Sequence, residues 1–328
     1  MADYSTIKGF NIQSLASDPY ISEVLAATWA SGSALNTARY QGGSAGTLTA
    51  GLCIGGNIPP RSAVTEEYDG TSWTAGGALN TARYYAVSAG TQIAAVMAGG
   101  NSPATPAVSA VGEEYNGTSW TTVNSMQTAS TARASAGTQT AAFGCGGRDV
   151  PDAYMDQMET YDGTSWAEDA DLNTAVSNAG GAGTTTAGLS FGGLRSDPSA
   201  TGNTDATEEW DGTSWAVGGT MTSSNRDRGS SGTQTAALGF GGKGPPSNTR
   251  VAVTEAYDGS TWTEVADLAT ARDSGTSAKA GSQTSTFYAG GTTGSAVTTT
   301  EEFTAPSTTA VAQEGQVWYN TTSTVLKG

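Results

Sequence analysis

Carboxylates and aromatic rings that could act together recur in one short motif. It reads EEYDGTSW at residues 66–73, EEYNGTSW at 113–120, EEWDGTSW at 208–215 and EAYDGSTW at 255–262. Paired carboxylates carry out glycoside hydrolysis, clustered carboxylates bind Ca²⁺, and tryptophan offers a large apolar ring with a polar N–H. The motif is therefore either a repeated catalytic, metal or sugar site, or a repeated structural unit.

The chain lacks the residues that most often carry catalysis. It has no histidine, which removes the commonest general base and the commonest zinc or copper ligand. Cys53 and Cys145 fall in equivalent segments of non-adjacent repeats, so we expect buried free thiols. The carboxylates lack the spacing of a Ca²⁺ loop, and no acid is singled out by its neighbours. We expect no catalytic residue, no metal site and no cofactor.

Charge and hydropathy exclude other classes of partner. The 328 residues carry a net charge of −16, from 14 Lys and Arg against 30 Asp and Glu, and no basic stripe suits nucleic acid. No stretch reaches the ~18 apolar residues of a membrane span. The sequence MADYSTIKGFNIQ lacks the apolar core of a signal peptide. We expect folding in a cytoplasm, without nucleic-acid or membrane partners.

The elements that position the motif repeat at a regular interval. Six tryptophans are spaced by 44, 47, 46, 49 and 47 residues, and six Gly-Gly pairs keep a similar interval. Each Gly-Gly pair is followed by an aromatic residue. A period of this length indicates a repeat architecture. The tryptophans are Trp29, Trp73, Trp120, Trp166, Trp215 and Trp262, and the aromatic residues are Tyr68, Tyr115, Tyr161, Trp210, Tyr257 and Phe303.

An apolar strand ending in Gly-Gly, then an aromatic residue, then a nearby tryptophan resembles the kelch repeat, over about residues 26–305. The resemblance implies an all-β fold, a β-propeller whose blades are four-stranded antiparallel sheets. Asp-Gly agrees with it, because that pair is a strong signal for a tight hairpin turn, here between the third and fourth strands.

The two ends of the repeat region give the number of blades. The sixth repeat reaches Phe303 and then reads TAPSTTA in place of the turn and tryptophan, whereas Trp29 has no Gly-Gly before it. We predict six blades, the last completed by an N-terminal closing strand at about residues 26–32, which removes a free sheet edge. The predicted domains are an attachment segment at 1–25, the propeller at 26–306, and a C-terminal β-hairpin attachment segment at 307–328.

The repeated side chains then have structural explanations. One tryptophan per blade is expected to pack between blades rather than to stack on a sugar. The first glutamate shares a strand face with the aromatic residue, and a packed carboxylate needs a partner. We expect arginines at the start of the innermost strands to pair with it, and the next residue to face solvent. The glutamates are Glu66, Glu113, Glu159, Glu208, Glu255 and Glu301; the arginines are Arg39, Arg83, Arg133, Arg226 or Arg228, and Arg272, with Val176 in the fourth repeat.

The repeats differ most between Gly-Gly and the aromatic residue, where eight of the ten prolines lie. Proline restricts a loop and lowers the entropy lost on binding. These loops share one face of the propeller with the connections between blades, and we expect that face to contact a partner. Expected contacts are Arg61, Tyr154, Arg195, Lys243 and Arg250. The alternative is that these are surface loops that tolerate variation.

The chain ends resemble a particular class of protein. GQVWYNTTSTVLKG predicts a hairpin around a polar turn and, with IKGFNIQSLASDP, resembles segments of bacteriophage tail and appendage proteins. Because a lone hairpin is marginally stable, Trp318 and Tyr319 are expected to contact residues 1–25, an identical subunit or another virion protein. The alternative is a disordered or ring-packed tail.

The resemblances imply a non-enzymatic virion structural protein of a tail, fibre or surface decoration, assembled in the host cytoplasm. Its ends would attach it to virion proteins or identical subunits, and its loop face would be free to bind a host surface glycan or protein. One alternative is a cellular kelch-type interaction module; a second is a carbohydrate-active enzyme. The kelch resemblance extends to galactose oxidase, but the copper site of that enzyme uses histidine, which is absent here.

Overall fold

Six four-stranded antiparallel sheets surround a central axis, as the sequence predicts for a six-bladed propeller. The structure is a computed structural model that describes residues 13–15, 23–58, 61–103, 107–150, 152–195, 202–245, 247–306, 318–320 and 325–327. No helix among those residues is long and apolar enough to cross a membrane.

Each blade runs from an innermost strand at the axis to an outermost strand at the rim. The strands of blades 1 to 3 are Gly43–Thr47, Ala50–Ile54, Thr65–Tyr68 and Trp73–Ala75; Val87–Thr91, Ala94–Ala98, Gly112–Tyr115 and Trp120–Val123; and Ala134–Thr138, Ala141–Cys145, Met158–Tyr161 and Trp166–Asp169. Those of blades 4 and 5 are Gly180–Thr184, Ala187–Phe191, Thr207–Trp210 and Trp215–Val217; and Gly229–Thr233, Ala236–Phe240, Thr254–Tyr257 and Trp262–Val265.

Blade 6 is completed from the other end of the chain, as predicted. Its strands are Thr276–Ser277, Ser285–Ala289, Thr300–Thr304 and the closing strand Thr28–Gly32. The closing strand pairs antiparallel with Thr300–Thr304, so that Trp29 lies opposite Phe303. A short 3-10 helix, Glu23–Ala26, precedes it. Ring closure therefore depends on hydrogen bonds between strands from opposite ends of the chain.

The innermost strands consist of small residues because the blades narrow toward the axis. The innermost strands read GSAGT, VSAGT, ASAGT, GGAGT and GSSGT, because little room is left for side chains there. The second strands are larger, apolar and buried. Core clusters join neighbouring blades: Leu52 and Ile54 of blade 1 pack with Met97 and Trp120 of blade 2.

The Gly-Gly pairs are required by close contact between blades. Gly55 and Gly56 have φ values of 59° and 104°, a region that L side chains rarely adopt. A Cβ on Gly55 would lie 2.7 Å from the carbonyl oxygen of Arg83 in the next repeat. The Gly56 N–H donates to that same carbonyl at 2.9 Å. The pair is thus a point of backbone contact between blades.

A closed ring of six backbone hydrogen bonds surrounds the axis. The residue two positions before each innermost strand has a positive φ, between 55° and 60°. Its N–H donates to the carbonyl of the equivalent residue in the preceding repeat, at 2.7 to 3.0 Å. The last bond, from Gln41 to Ser274, closes the circle. We call these residues the axial ring; they are Gln41, Tyr85, Ala132, Asn178, Asp227 and Ser274.

The two faces of the propeller differ in what they carry. The axial ring, the Gly-Gly pairs and the loops after them lie on one face, the loop face. The hairpins within each blade, including the Asp-Gly turns, lie on the opposite turn face. Thr28 pairs with Thr304 at the turn-face end of blade 6, and Ala305 donates to Thr284 of the adjoining hairpin. Both ends of the propeller therefore reach the turn face.

The two chain ends meet in a three-stranded sheet. Trp318–Asn320 pairs antiparallel with Val325–Lys327, which is the predicted hairpin, and in parallel with Gln13–Leu15. The strand Gln13–Leu15 of the N-terminal segment is thus paired with this hairpin. Most of the predicted attachment segments, at 1–25 and 307–328, lie outside the described residues.

Deleting residues 1–32 should destabilise the whole propeller, because it removes the outermost strand of blade 6 and exposes an edge. The milder change Trp29→Ala should lower the free energy of unfolding by roughly 3 kcal/mol. Thermal unfolding followed by circular dichroism measures both. Deletion of residues 307–328 is the control and should leave the melting temperature nearly unchanged. An unchanged melting temperature for the 1–32 deletion would show that the closing strand is dispensable.

Candidate functional site

The first glutamate of the repeat forms a buried ion pair in five blades. The distances from guanidinium nitrogen to carboxylate oxygen lie between 2.5 and 3.3 Å. The pairs are Arg39–Glu66, Arg83–Glu113, Arg133–Glu159, Arg228–Glu255 and Arg272–Glu301. The glutamates also accept backbone N–H groups from the segment that enters the blade, as Glu66 does from Asn36 at 2.7 Å. They hold the connections between blades in place.

The arginines reach these glutamates from two positions. Arg39, Arg83 and Arg272 lie two residues before the axial ring, whereas Arg133 and Arg228 lie one residue after it. From the sequence, Arg226 and Arg228 were alternative partners in the fifth repeat. Arg228 forms the ion pair with Glu255, and Arg226 lies on the loop face. In the fourth repeat, Asn173 donates from its backbone and side-chain amides to Glu208 at 2.8 and 2.9 Å.

The repeated tryptophans lie between blades, as expected. Four indole N–H groups donate to a threonine hydroxyl at the start of the third strand of the preceding blade, at 2.9 to 3.2 Å. These pairs are Trp29–Thr254, Trp73–Thr300, Trp120–Thr65 and Trp262–Thr207. The indole N–H groups of Trp166 and Trp215 have no partner among the described residues. The equivalent residues there are Gly112 and Met158, which have no hydroxyl.

The residue after the first glutamate was predicted to face solvent, and this was wrong. Where it is glutamate it is half-buried and accepts a hydrogen bond from the core tyrosine of the next blade, as Glu114 does from Tyr161 at 2.8 Å. The pairs are Glu67–Tyr115, Glu114–Tyr161, Glu209–Tyr257 and Glu302–Tyr68. Burial and the carboxylate raise the pKa of Tyr115 and Tyr257 to about 12. The exceptions, Thr160 and Ala256, precede blades with Trp210 and Phe303, which have no hydroxyl to donate.

An open cavity of about 450 Å³ lies on the axis at the loop face. Its wall includes residues just before the innermost strands, such as Tyr40 and Tyr84, and residues just after Gly-Gly, such as Asn57 and Asn101. A volume of this size is typical of small-molecule sites. We call it the axial cavity.

The floor of the axial cavity is a hydrogen-bonded network across the axis. Tyr85 donates its hydroxyl to Asp227, on the opposite side of the ring, at 2.8 Å. Gln41 donates to Tyr85 and Asn178 donates to Asp227, both at 2.7 Å. Burial, then the neighbouring carboxylate, raise the pKa of Tyr85, which keeps its proton. This network closes the axial channel below the cavity.

Two buried carboxylates share the cations at this floor. Lys243 Nζ lies 3.0 Å from an Asp273 oxygen and 4.0 Å from an Asp227 oxygen. Arg250 Nε lies 2.7 Å from Asp273, and Arg226 Nε lies 3.4 Å from Asp227. Both buried carboxylates therefore have cationic partners, as buried charges must.

Of the five expected loop contacts, Lys243 lines the axial cavity. The other four lie outside its wall, and Arg250 contacts Asp273, which also pairs with Lys243. The Arg61 guanidinium lies over the Tyr84 ring, 5.4 Å from the centroid. Tyr154 accepts a hydrogen bond at 3.0 Å from Arg148, which lines the wall. Arg195 does not line the cavity, and its buried Nε has no partner among the described residues.

The residues predicted from the sequence do not include Tyr40, Tyr84, Tyr85, Asp227 and Asp273. The predicted contacts lie in the loops after Gly-Gly, which differ in length, whereas these five residues lie in the more uniform segments that enter each blade. A signal was present: the axial-ring position carries Gln, Tyr, Ala, Asn, Asp and Ser in the six repeats, within segments that are otherwise similar.

Lys279 closes the channel farther from the loop face. It occupies the position that is glycine in the innermost strands of the other blades, and its Nζ crosses the axis. It donates to Ser230 Oγ at 2.8 Å and to the Ser135 carbonyl at 3.0 Å. Burial lowers its pKa to about 8. A second cavity, of about 100 Å³, lies between Lys279 and the Tyr85–Asp227 bond.

The remaining candidate groups for chemistry are the two cysteines, clusters of acidic residues, and the aromatic residues near the C-terminus. Cys53 and Cys145 are free and buried, as expected. Among the described residues, no group of three or more His, Cys, Asp or Glu could hold a metal ion. Trp318 and Tyr319 belong to the strand shared by the two chain ends.

Comparison with known proteins identifies a similar fold. Neither a protein-family model nor a curated protein sequence matches the chain. A solved structure described as "Structure of YjhT" has a TM-score of 0.69 and 15% sequence identity, covering 86% of this chain and 99% of its own. At that identity the likeness concerns the fold alone.

Tyr161 and Glu114 should be energetically coupled across the blade interface. The double variant Tyr161→Phe with Glu114→Thr should be destabilised by about 1 kcal/mol less than the sum of the two single variants. The reason is that each single variant already loses the same hydrogen bond. Urea unfolding of the four proteins measures this coupling. Glu168→Thr, at an exposed glutamate of the neighbouring strand, is the control and should not couple to Tyr161→Phe. Additive effects of the Glu114 and Tyr161 changes would contradict the assignment.

Lys279 should make the stability of the protein rise with pH between about 8 and 10. Its pKa in the folded chain is about 8, below the ordinary value of 10.5, so the unfolded state binds more protons in this interval. Relative to Lys279→Met, the wild-type free energy of unfolding should therefore increase from pH 7.5 to pH 9.5, approximately. Urea titrations at both pH values measure it, with Lys327→Met as control. An equal difference at the two pH values would argue against a buried ammonium.

Proposed function

We propose that this protein is a non-enzymatic component of a bacteriophage particle that presents the loop face of its propeller outward. Its ends attach it to other virion proteins or to identical subunits, and the loop face binds a molecule of the host surface. The kelch-type repeat supplies a rigid platform for that face.

The observation that carries the proposal is the position of the two ends. The closing strand begins and the last propeller strand finishes at the turn face, where Thr28 pairs with Thr304. The axial cavity and the variable loops lie on the opposite face. A protein attached through both ends thus turns its most varied face away from the attachment point.

The ends themselves support a role in attachment. The strands Gln13–Leu15, Trp318–Asn320 and Val325–Lys327 bring both ends together in a sheet separate from the six blades. The segment from 315 to 328 resembles segments of tail and appendage proteins, which supports placing the protein on a virion.

Epitope tags on the two faces test this orientation. A tag inserted after Gly294, in the loop face of blade 6, should be labelled by antibody on intact purified particles. The same tag after Gly212, in the turn face of blade 4, should be labelled only after particles are dissociated. Immunogold microscopy and mass spectrometry of the particles are the measurements. Absence of the protein from particles, or equal labelling of both tags, would refute the proposal.

A further inference from the structure

We propose that the axial cavity binds a neutral saccharide, with a ring of the sugar against Tyr40. This inference deepens the proposed function, on which its biological meaning rests, by naming the site and the chemical class of the ligand. It places recognition on the axis rather than at the tips of the variable loops.

Tyr40 is the side chain in the wall that is available to a ligand. It is half-buried and lines the cavity, yet its side chain makes no hydrogen bond, aromatic contact or cation–π contact with the described residues. Tyr84 beside it differs, because its ring packs on Tyr85 at 5.7 Å and under the Arg61 guanidinium. An aromatic ring with one accessible face and a polar edge suits the apolar face and hydroxyl rim of a sugar.

The polar groups around Tyr40 supply both donors and acceptors. Asn57 and Asn101 offer amide oxygens that accept no hydrogen bond from the described residues, and the Tyr84 hydroxyl likewise has no partner there. Sugar hydroxyls donate and accept, so they match a wall of amides and hydroxyls. Tyr85, Gln41 and Asn178 hold the floor rigid, which reduces the entropy cost of binding.

Charge decides between a neutral and an anionic sugar. Five of the 14 Lys and Arg are in the buried pairs with glutamate. Arg226 and Lys243 reach the axial cavity, but Arg226 lies 3.4 Å from Asp227 and Lys243 lies 3.0 Å from Asp273. Arg148 contacts Asp152 at 3.1 Å in the same wall. An anion would have to compete with these carboxylates, whereas a neutral sugar can bond to the pairs without separating them.

A glycan array probed with the full-length labelled chain tests the class of ligand. The array carries neutral hexose and N-acetylhexosamine glycans beside matched glycans with uronic acids. We expect binding to neutral glycans, confirmed by calorimetry with the corresponding free oligosaccharide. Because no net charge is neutralised, the affinity should change less than about twofold between low and high salt. Binding restricted to the acidic glycans, or binding to none, would overturn the inference.

Paired variants test the site. Tyr40→Ala should weaken binding at least about tenfold, and it should fold normally because the Tyr40 side chain makes no hydrogen bond with the described residues. Arg195→Gln, on the loop face but outside the cavity wall, should retain the wild-type affinity. Loss of binding with Arg195→Gln but not with Tyr40→Ala would move the site to the loop tips. These binding measurements use the isolated protein and need no phage particle. Antibody labelling of the tagged particles can therefore fail while sugar binding succeeds, and the reverse.

Discussion

The closed ring of six backbone hydrogen bonds around the axis is the constraint on which the rest depends. Each bond joins one repeat to the next, and the bond from Gln41 to Ser274 joins the first to the last. The ring requires a positive φ at residues that include Tyr85 and Ala132, where this conformation is unfavourable. The six bonds hold those residues in place, and the same geometry turns their side chains toward the axial cavity.

Contacts between blades come in layers outside this ring. The Gly-Gly pairs bring backbones together, the ion pairs of the first glutamate fix the connections, and the tryptophans and the second glutamate join the outer strands. The ion pairs form within a blade, whereas the other layers use polar groups whose partner lies in another repeat. Where the partner is missing, as for Trp166 and Trp215, the indole N–H is left without a bond among the described residues. A single repeat would lack the partners that other repeats supply, so we expect a blade to be stable only within the ring.

The sequence was sufficient for the architecture because the repeats can be compared with one another. Six copies revealed the turn, the strands and the missing tryptophan after Phe303, which assigned Trp29 to the last blade. The pairing of the second glutamate with the tyrosine of the next blade is also encoded in the sequence, since glutamate is absent only where that tyrosine is absent. It connects residues of successive repeats, so an alignment of the repeats position by position does not show it.

The axial cavity could not be predicted in the same way. Its wall combines two to four residues from each of the first five repeats, and their proximity depends on the curvature that closes the ring. Tyr85 and Asp227 are 142 residues apart and meet across the axis. Nothing in the local sequence of either residue indicates the other. Lys279 is similar, because its partners Ser135, Gly181 and Ser230 belong to blades 3, 4 and 5.

The way in which the closing strand is joined also determines how the protein responds to mechanical load. Because Thr28 and Thr304 pair at the point where both strands leave the ring, a force that separates the two ends would break the strand pair one residue at a time from the turn face. A force applied to both ends from one anchor pulls the two strands in the same direction and leaves the pair intact. A propeller built this way withstands tension well only when its two ends share a single attachment point.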